Sequence, residues 1–199
     1  ATLDTTVRQC ELDSTHTVLL SDTVGFIRKL PHRLVASFKS TLKEAREADL
    51  ILKVIDLKSD YWKEHLKTVN TILKELEAHK IPSMIVFNKI DKCESKDFKI
   101  VKHDHPDAIF ISAQDHVGID SLKKQILDFL HKKEVRIRLT VPASRMKSIV
   151  ALRKYGTIET EKYKDGKAFM EIVCYRNLWN KLKDQLTDQI EVTSVENVA

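Results

Sequence analysis

The sequence has 199 residues, of which 42% are hydrophobic, so it can form the core of one large domain or of a medium-sized domain with a small companion. Its 34 basic and 29 acidic residues leave a net charge of +5, which permits an acidic partner such as RNA without requiring one. The widely spaced Cys10, Cys93 and Cys174 suggest neither a disulfide framework nor a thiolate zinc site. No apolar stretch approaches the roughly 18 residues that cross a bilayer, and no signal peptide is evident, so we expect a cytoplasmic protein.

Four short apolar runs predict the strands of a parallel sheet, because they are rich in β-branched residues and are typical of strands buried on both faces. They cover residues 16–21, 49–57, 83–88 and 108–113. Apolar residues at helical spacing predict helices over 34–45, 62–76 and 122–130. This alternation indicates an α/β fold with a doubly wound sheet, in which the preceding run VRQCEL forms an antiparallel hairpin with the first strand.

The pattern changes after Lys133. Residues 135–141 alternate strictly, 144–155 are expected to form a helix, and Asp165-Gly166 predicts a tight turn between two strands. A last amphipathic helix is expected over 177–186, and the final residues either add an edge strand or fray. This order of elements predicts a small ferredoxin-like α+β domain.

Polar motifs follow three of the four apolar runs. They are D-T-V-G at 22–25, N-K-I-D at 88–91 and S-A-Q at 112–114. Because the carboxyl ends of parallel strands lie at one edge of a sheet, we expect the three motifs to converge there on a ligand.

The chemistry of these motifs fits a guanine nucleotide. The carboxylate of Asp91 can accept hydrogen bonds from N1 and N2 of guanine, which adenine cannot supply. We expect Asn88 to brace the loop, the stem of Lys89 to cover the ring and the Ala113 N–H to meet O6. Asp22 is suited to hold Mg²⁺ through water. Gly25 can bring its N–H close to a γ-phosphate.

The segments ATLDTT, DTVGFIRKLPH, NKID and SAQ, in this order and spacing, closely resemble the HflX branch of the translation-factor-related GTPases. The resemblance covers residues 1–133 closely and the remainder more loosely. It implies a Mg²⁺-dependent protein that binds GTP and GDP, hydrolyses GTP and binds the large ribosomal subunit through rRNA and ribosomal proteins. It also implies a role in ribosome rescue or splitting under stress. We expect a monomer.

By position, the resemblance makes the opening of the chain part of switch I, with the Thr2 hydroxyl on Mg²⁺ beside Asp22. Thr5 and Thr6 are alternatives to Thr2 on chemistry alone. The predicted GTP-contacting residues are Ala1, Thr2, Leu3, Asp4, Asp22, Thr23, Val24, Gly25, Asn88, Lys89, Ile90, Asp91, Ser112, Ala113 and Gln114.

The phosphate-cradling motif G-x-x-x-x-G-K-[ST] does not occur in the 199 residues. We therefore expect the C-terminal part of a longer protein: a truncated P-loop-NTPase-like GTPase domain at 1–133, followed by the ferredoxin-like domain at 134–199. On this view the chain alone binds a GTP analogue weakly or undetectably.

Phe26 occupies the position at which many GTPases carry a Gln that orients the attacking water, and a phenyl ring cannot hydrogen-bond to water in that way. We assign no catalytic residue and expect slow hydrolysis that depends on the ribosome or on another group. The alternative is a non-catalytic ribosome- or RNA-binding module that keeps the guanine-recognition motifs.

Overall fold

A computed structural model describes residues 6–22, 43–186 and 189–198. The chain divides into two compact units between Lys123 and Lys124. The strands of the first unit are β1 (Thr6–Glu11), β2 (Thr17–Asp22), β3 (Ile51–Asp56), β4 (Ser83–Asn88) and β5 (Ile109–Phe110). Its helices are α1 (Lys43–Glu47), α2 (Trp62–Glu75) and α3 (Ser95–Asp104), followed by α4 (Ile119–His131), which contains the division between the units.

The parallel sheet of the first unit has the order β3-β4-β5. Its central strand β4 is buried on both faces, as its unbroken apolar run predicts. Val86 packs with Ile109 and Ile111, whereas the next residue, Phe87, packs in a separate cluster with Ile55. This split follows from the alternation of side chains along a strand. The predicted α/β fold with a parallel sheet is confirmed.

The strand β2 forms the predicted antiparallel hairpin with β1, but its predicted place in the parallel sheet is wrong. Within the described residues, β2 pairs with β1 alone, and the side chains of Leu19 and Leu20 are 74% and 48% exposed. An apolar run of this kind predicts burial on both faces, whereas both leucines are exposed here.

Only the end of the predicted helix over 34–45 falls within the described residues, as part of α1. Residues 1–5, 23–42, 187–188 and 199 lie outside the described part of the chain.

The second unit contains β6 (Glu134–Pro142), α5 (Met146–Tyr155), β7 (Thr157–Lys164), β8 (Lys167–Tyr175), α6 (Arg176–Leu186) and β9 (Glu191–Asn197). Its antiparallel sheet has the order β7-β8-β6-β9, which is the arrangement of a split-βαβ domain. The end of the chain therefore adds the edge strand β9.

The strict alternation of β6 separates its two faces. Val135, Ile137 and Leu139 are buried in a core with residues of β8, α5 and α6. Arg136 and Arg138 lie on the opposite face, where they form ion pairs with glutamates of the other three strands. No helix among the described residues is long and apolar enough to span a membrane.

Candidate functional site

The carboxyl ends of β3, β4 and β5 bring two of the predicted motifs together. Asp56 at the end of β3 lies opposite Asn88 at the end of β4. The chain after β5 continues this arrangement, since the Ile111 N–H donates to the Phe87 carbonyl at 2.8 Å and the Ile90 N–H donates to the Ile111 carbonyl at 3.2 Å. The segments NKID and SAQ therefore leave the same edge of the sheet as neighbours, as the sequence predicts.

Asn88 joins these two segments directly. Its Oδ1 accepts a hydrogen bond from the Lys89 N–H at 2.7 Å and another from the Ala113 N–H at 3.0 Å. This is the bracing role expected of Asn88. The Ala113 N–H, expected to meet guanine O6, donates to Asn88 in this structure, so its contact with a base remains a prediction.

Lys89 is held in an unusual conformation by contacts at both ends. Its backbone lies in the left-handed region, with φ 68° and ψ 37°. Its carbonyl accepts a hydrogen bond from the Lys92 N–H at 3.1 Å, and its Nζ lies 2.6 Å from Asp56 Oδ2. A left-handed conformation is uncommon for a residue with a side chain and persists only where surrounding contacts impose it.

The ion pair between Lys89 and Asp56 keeps both groups charged. Burial opposes ionisation of Asp56, but hydrogen bonds from the Lys89 side chain and the Lys58 N–H outweigh that effect, so the pKa of Asp56 lies below its ordinary value. The hydrogen bond to Asp56 raises the pKa of Lys89. Sequence reasoning missed Asp56, although its place at the end of a predicted parallel strand was a usable signal.

The SAQ segment opens a tightly closed loop. Ser112 is only 1% exposed, and its backbone N–H and carbonyl pair with those of Val117. The Ser112 side chain is hydrogen-bonded to Asp115, whose own N–H donates to the Ser112 Oγ. The hydroxyl of Ser112 therefore stabilises the loop from inside, and the exposed Gln114 lies on the rim.

The two remaining residues of the NKID motif differ in exposure. Ile90 is half-buried and packs against the cluster around Phe87, so its side chain supports the site from beneath. Asp91 is exposed, and its charge acts on Lys89. The site therefore presents the exposed carboxylate of Asp91, a fixed lysine and the closed SAQ loop along one edge of the sheet.

Asp22, the described member of the predicted Mg²⁺ pair, is the exposed last residue of β2 and lies opposite Thr6. The other predicted residues of the switch segments lie outside the described residues. They are Ala1, Thr2, Leu3, Asp4, Thr23, Val24 and Gly25, together with Thr5 and Phe26.

Comparison with known proteins identifies the family. The sequence model of a family described as "50S ribosome-binding GTPase" matches residues 1–89. The GTPase HflX of Alkalihalophilus pseudofirmus is 37% identical over 190 residues, which cover 94% of this chain and 44% of that protein. The GTPase HflX of Escherichia coli is 36% identical over 188 residues, covering 93% and 44%. This chain belongs to the HflX family of GTPases.

The chain spans less than half the length of these HflX relatives. Among solved structures, a mutation variant of SsGBP is 28% identical with a TM-score of 0.54, covering 62% of this chain and 45% of that one. A complex of SsGBP with GDP is 27% identical with a TM-score of 0.52, covering 62% and 41%.

Proposed function

We propose that the full-length HflX protein recognises guanine nucleotides at the edge of the parallel sheet in the first unit and that it hydrolyses GTP. The observation that carries this proposal is the hydrogen bond from the Ala113 N–H to Asn88 Oδ1, which fixes the two base-recognition segments side by side. The relatives named GTPase HflX and the GDP complex of SsGBP support the same choice of ligand.

The residues at this edge fit guanine in its chemistry. The exposed carboxylate of Asp91 would accept the N1 and N2 hydrogens, and the stem of Lys89 would cover the ring. The Ala113 N–H would donate a hydrogen bond to guanine O6. It would either share its hydrogen between O6 and Asn88 Oδ1 or donate to O6 in place of Asn88 Oδ1. Adenine has no hydrogen on N1 and no amino group at C2. Binding adenine would therefore leave the Asp91 carboxylate without hydrogen-bond donors, which disfavours this base.

We propose that Asp22 holds Mg²⁺ through water and that the Thr2 hydroxyl binds the ion directly. An exposed carboxylate at the end of β2 suits this hard cation, which keeps much of its hydration. When bound, Mg²⁺ would neutralise charge on the β- and γ-phosphates. Gly25 would donate its N–H to the γ-phosphate.

Replacing Asp91 with asparagine tests guanine recognition. Asp91→Asn replaces an acceptor of two hydrogen bonds with a side chain that also donates, so the affinity for GTP should fall by about 100-fold or more. Affinity for xanthosine triphosphate should rise, because its C2 oxygen needs a donor. Competition against a fluorescent nucleotide in the full-length protein measures both changes.

The matched control for this experiment is Asp107→Asn, which removes a carboxylate from another exposed position of the first unit. It should leave the selectivity for GTP over xanthosine triphosphate as it is. Unaltered selectivity in Asp91→Asn would contradict the assignment of Asp91 to the base.

We further propose that the large ribosomal subunit is the partner and that it stimulates hydrolysis, because Phe26 cannot orient water. The description of the matching family as ribosome-binding supports this partner. Supplying a missing catalytic group in trans accelerates GTPases by about 10³ to 10⁵. Steady-state release of phosphate by the full-length protein should therefore rise on this scale when large subunits are added.

Adding small subunits instead of large ones gives the control for this second prediction. A GTP turnover of zero, with and without large subunits, would favour the alternative of a non-catalytic binding module.

We propose ribosome rescue or splitting as the role and the cytoplasm as the location, with a monomeric protein.

A further inference from the structure

Asp56 lies within the proposed guanine site, yet none of the motifs that define the site contains it. Its Oδ2 accepts the hydrogen bond from Lys89 Nζ at 2.6 Å, and its Oδ1 accepts one from the Lys58 N–H at 3.0 Å. Both oxygens are thus engaged, one with its own loop and the other with the NKID loop. The carboxylate is therefore fixed relative to β4 before any ligand arrives.

The backbone around Asp56 is fixed as well. The Leu57 N–H donates to the Asn88 carbonyl at 3.0 Å, and Asp56 itself lies opposite Asn88 in the parallel register. Asn88 in turn holds the Lys89 N–H and the Ala113 N–H. One continuous set of hydrogen bonds therefore connects the ends of all three strands of the sheet.

Lys89 needs such support because its side chain is long. A lysine with a free ammonium group samples many rotamers, and ordering it on binding costs affinity. Here the backbone is set by the left-handed turn and the Nζ is held by Asp56, so the four-carbon stem between them has little freedom. An isolated exposed ion pair contributes little to the stability of the fold. The pair between Lys89 and Asp56 would instead act by orienting the stem of Lys89.

We infer that Asp56 is a positioning residue of the guanine site, which holds Lys89 Nζ so that the aliphatic stem is ordered in advance where it covers the base. This inference rests on the proposed guanine-binding function. It assigns to Asp56 no contact with the nucleotide, since it acts through Lys89.

The test is a double-mutant cycle in the full-length protein with GDP as the ligand. Asp56→Ala and Lys89→Met each break the ion pair, and Lys89→Met keeps an apolar stem of similar length. Each should weaken GDP binding by about 2- to 10-fold, the cost of ordering one long side chain, and should speed dissociation of a fluorescent GDP. The double variant should bind GDP as tightly as the more impaired of the two single variants, because all three variants lose the same contact.

A second readout separates orientation of the stem from base selectivity. Inosine diphosphate lacks the N2 group that Asp91 recognises but presents the same ring face to Lys89. Asp56→Ala should therefore weaken GDP and inosine diphosphate binding by the same factor. Asp91→Asn should instead collapse the ratio between the two affinities.

Asp60→Asn is the matched control, since Asp60 is exposed in the turn that follows β3 and lies outside the site. It should bind GDP like the natural sequence. Asp56→Asn removes the charge but keeps a hydrogen-bond acceptor, so it is less prone to misfold than Asp56→Ala. Thermal unfolding followed by circular dichroism checks that each variant is folded.

Several results would overturn the inference. They are unchanged GDP affinity in both Asp56 variants, multiplicative losses in the double variant, or a changed ratio of GDP to inosine diphosphate affinity. If the natural protein binds GDP and the Asp56 variants bind it equally well, only the role of Asp56 is refuted. A full-length protein that binds no guanine nucleotide refutes the proposed function as well.

Discussion

Two glycines with similar φ angles differ in what surrounds them, and this difference predicts unequal effects of the same substitution. Gly118 has φ 75°, and a Cβ there would lie 2.3 Å from the Phe110 carbonyl oxygen. Gly166 has φ 71°, but a Cβ there would meet nothing within 4 Å. Gly166→Ala should therefore cost about 1 kcal/mol for the left-handed conformation alone, and Gly118→Ala about 2–4 kcal/mol because the backbone must also shift.

The two tryptophans allow each effect to be measured in its own unit, because Trp62 lies in the first unit and Trp179 in the second. Urea unfolding followed by fluorescence should show the Gly118→Ala loss in a Trp179→Phe background. The Gly166→Ala loss should appear in a Trp62→Phe background. Equal losses at the two glycines would show that close approach to Phe110 contributes nothing.

The residues of the candidate site were predictable from sequence to the extent that each motif carries its own chemistry. Asn88 and Asp91 belong to one short motif, and the ends of parallel strands converge by a general rule. Asp56 was not predictable in the same way, because its partner Lys89 lies 33 residues along the chain and only the register of β3 with β4 brings the two together. The burial of Ser112 likewise depends on the loop that closes over it.

At the scale of elements, the sequence predicts best where a regular periodicity extends over many residues. It predicts β4, α2 and α4, together with β6, α5, β7, β8 and α6 of the second unit. It leaves an edge strand and fraying open for the end of the chain, where the structure has β9. It gives no helix at Ser95–Asp104, since α3 carries few apolar residues at helical spacing, among them Phe98 and Val101. It also extends β5 too far, because the chain turns at Ser112 to pair with Val117.

The strand β2 shows why an apolar run alone does not determine the sheet to which a strand belongs. Leu19 and Leu20 fit a strand buried on both faces, and the structure pairs β2 with β1 alone among the described residues. Local patterning gives the extended conformation and the hairpin, whereas membership of a sheet depends on neighbours distant in sequence. Asp22 therefore belongs to the two-stranded sheet of β1 and β2, whereas Asn88 belongs to the three-stranded parallel sheet.

At the scale of the whole molecule, the second unit has the properties of an independent folding unit. Its buried core residues fall between Val135 and Leu186, and among the described residues its four strands pair only with one another. The sequence places the boundary after Lys133, whereas the contacts place it after Lys123, within α4. The two positions can be distinguished by comparing fragments that start at residues 134 and 124.

We propose that residues 134–199 fold on their own, because the complete sheet and its core lie within them. The longer fragment, 124–199, restores the carbonyl of Lys133, which accepts the Arg176 N–H at 2.9 Å at the start of α6. It should therefore be more stable by about 1 kcal/mol, the usual net worth of one hydrogen bond. Urea unfolding followed by Trp179 fluorescence measures this difference, and amide hydrogen exchange should protect β6 and β8 in both fragments. Cooperative folding of 124–199 with an unfolded 134–199 would place the boundary within α4 and would make the end of that helix part of the second domain.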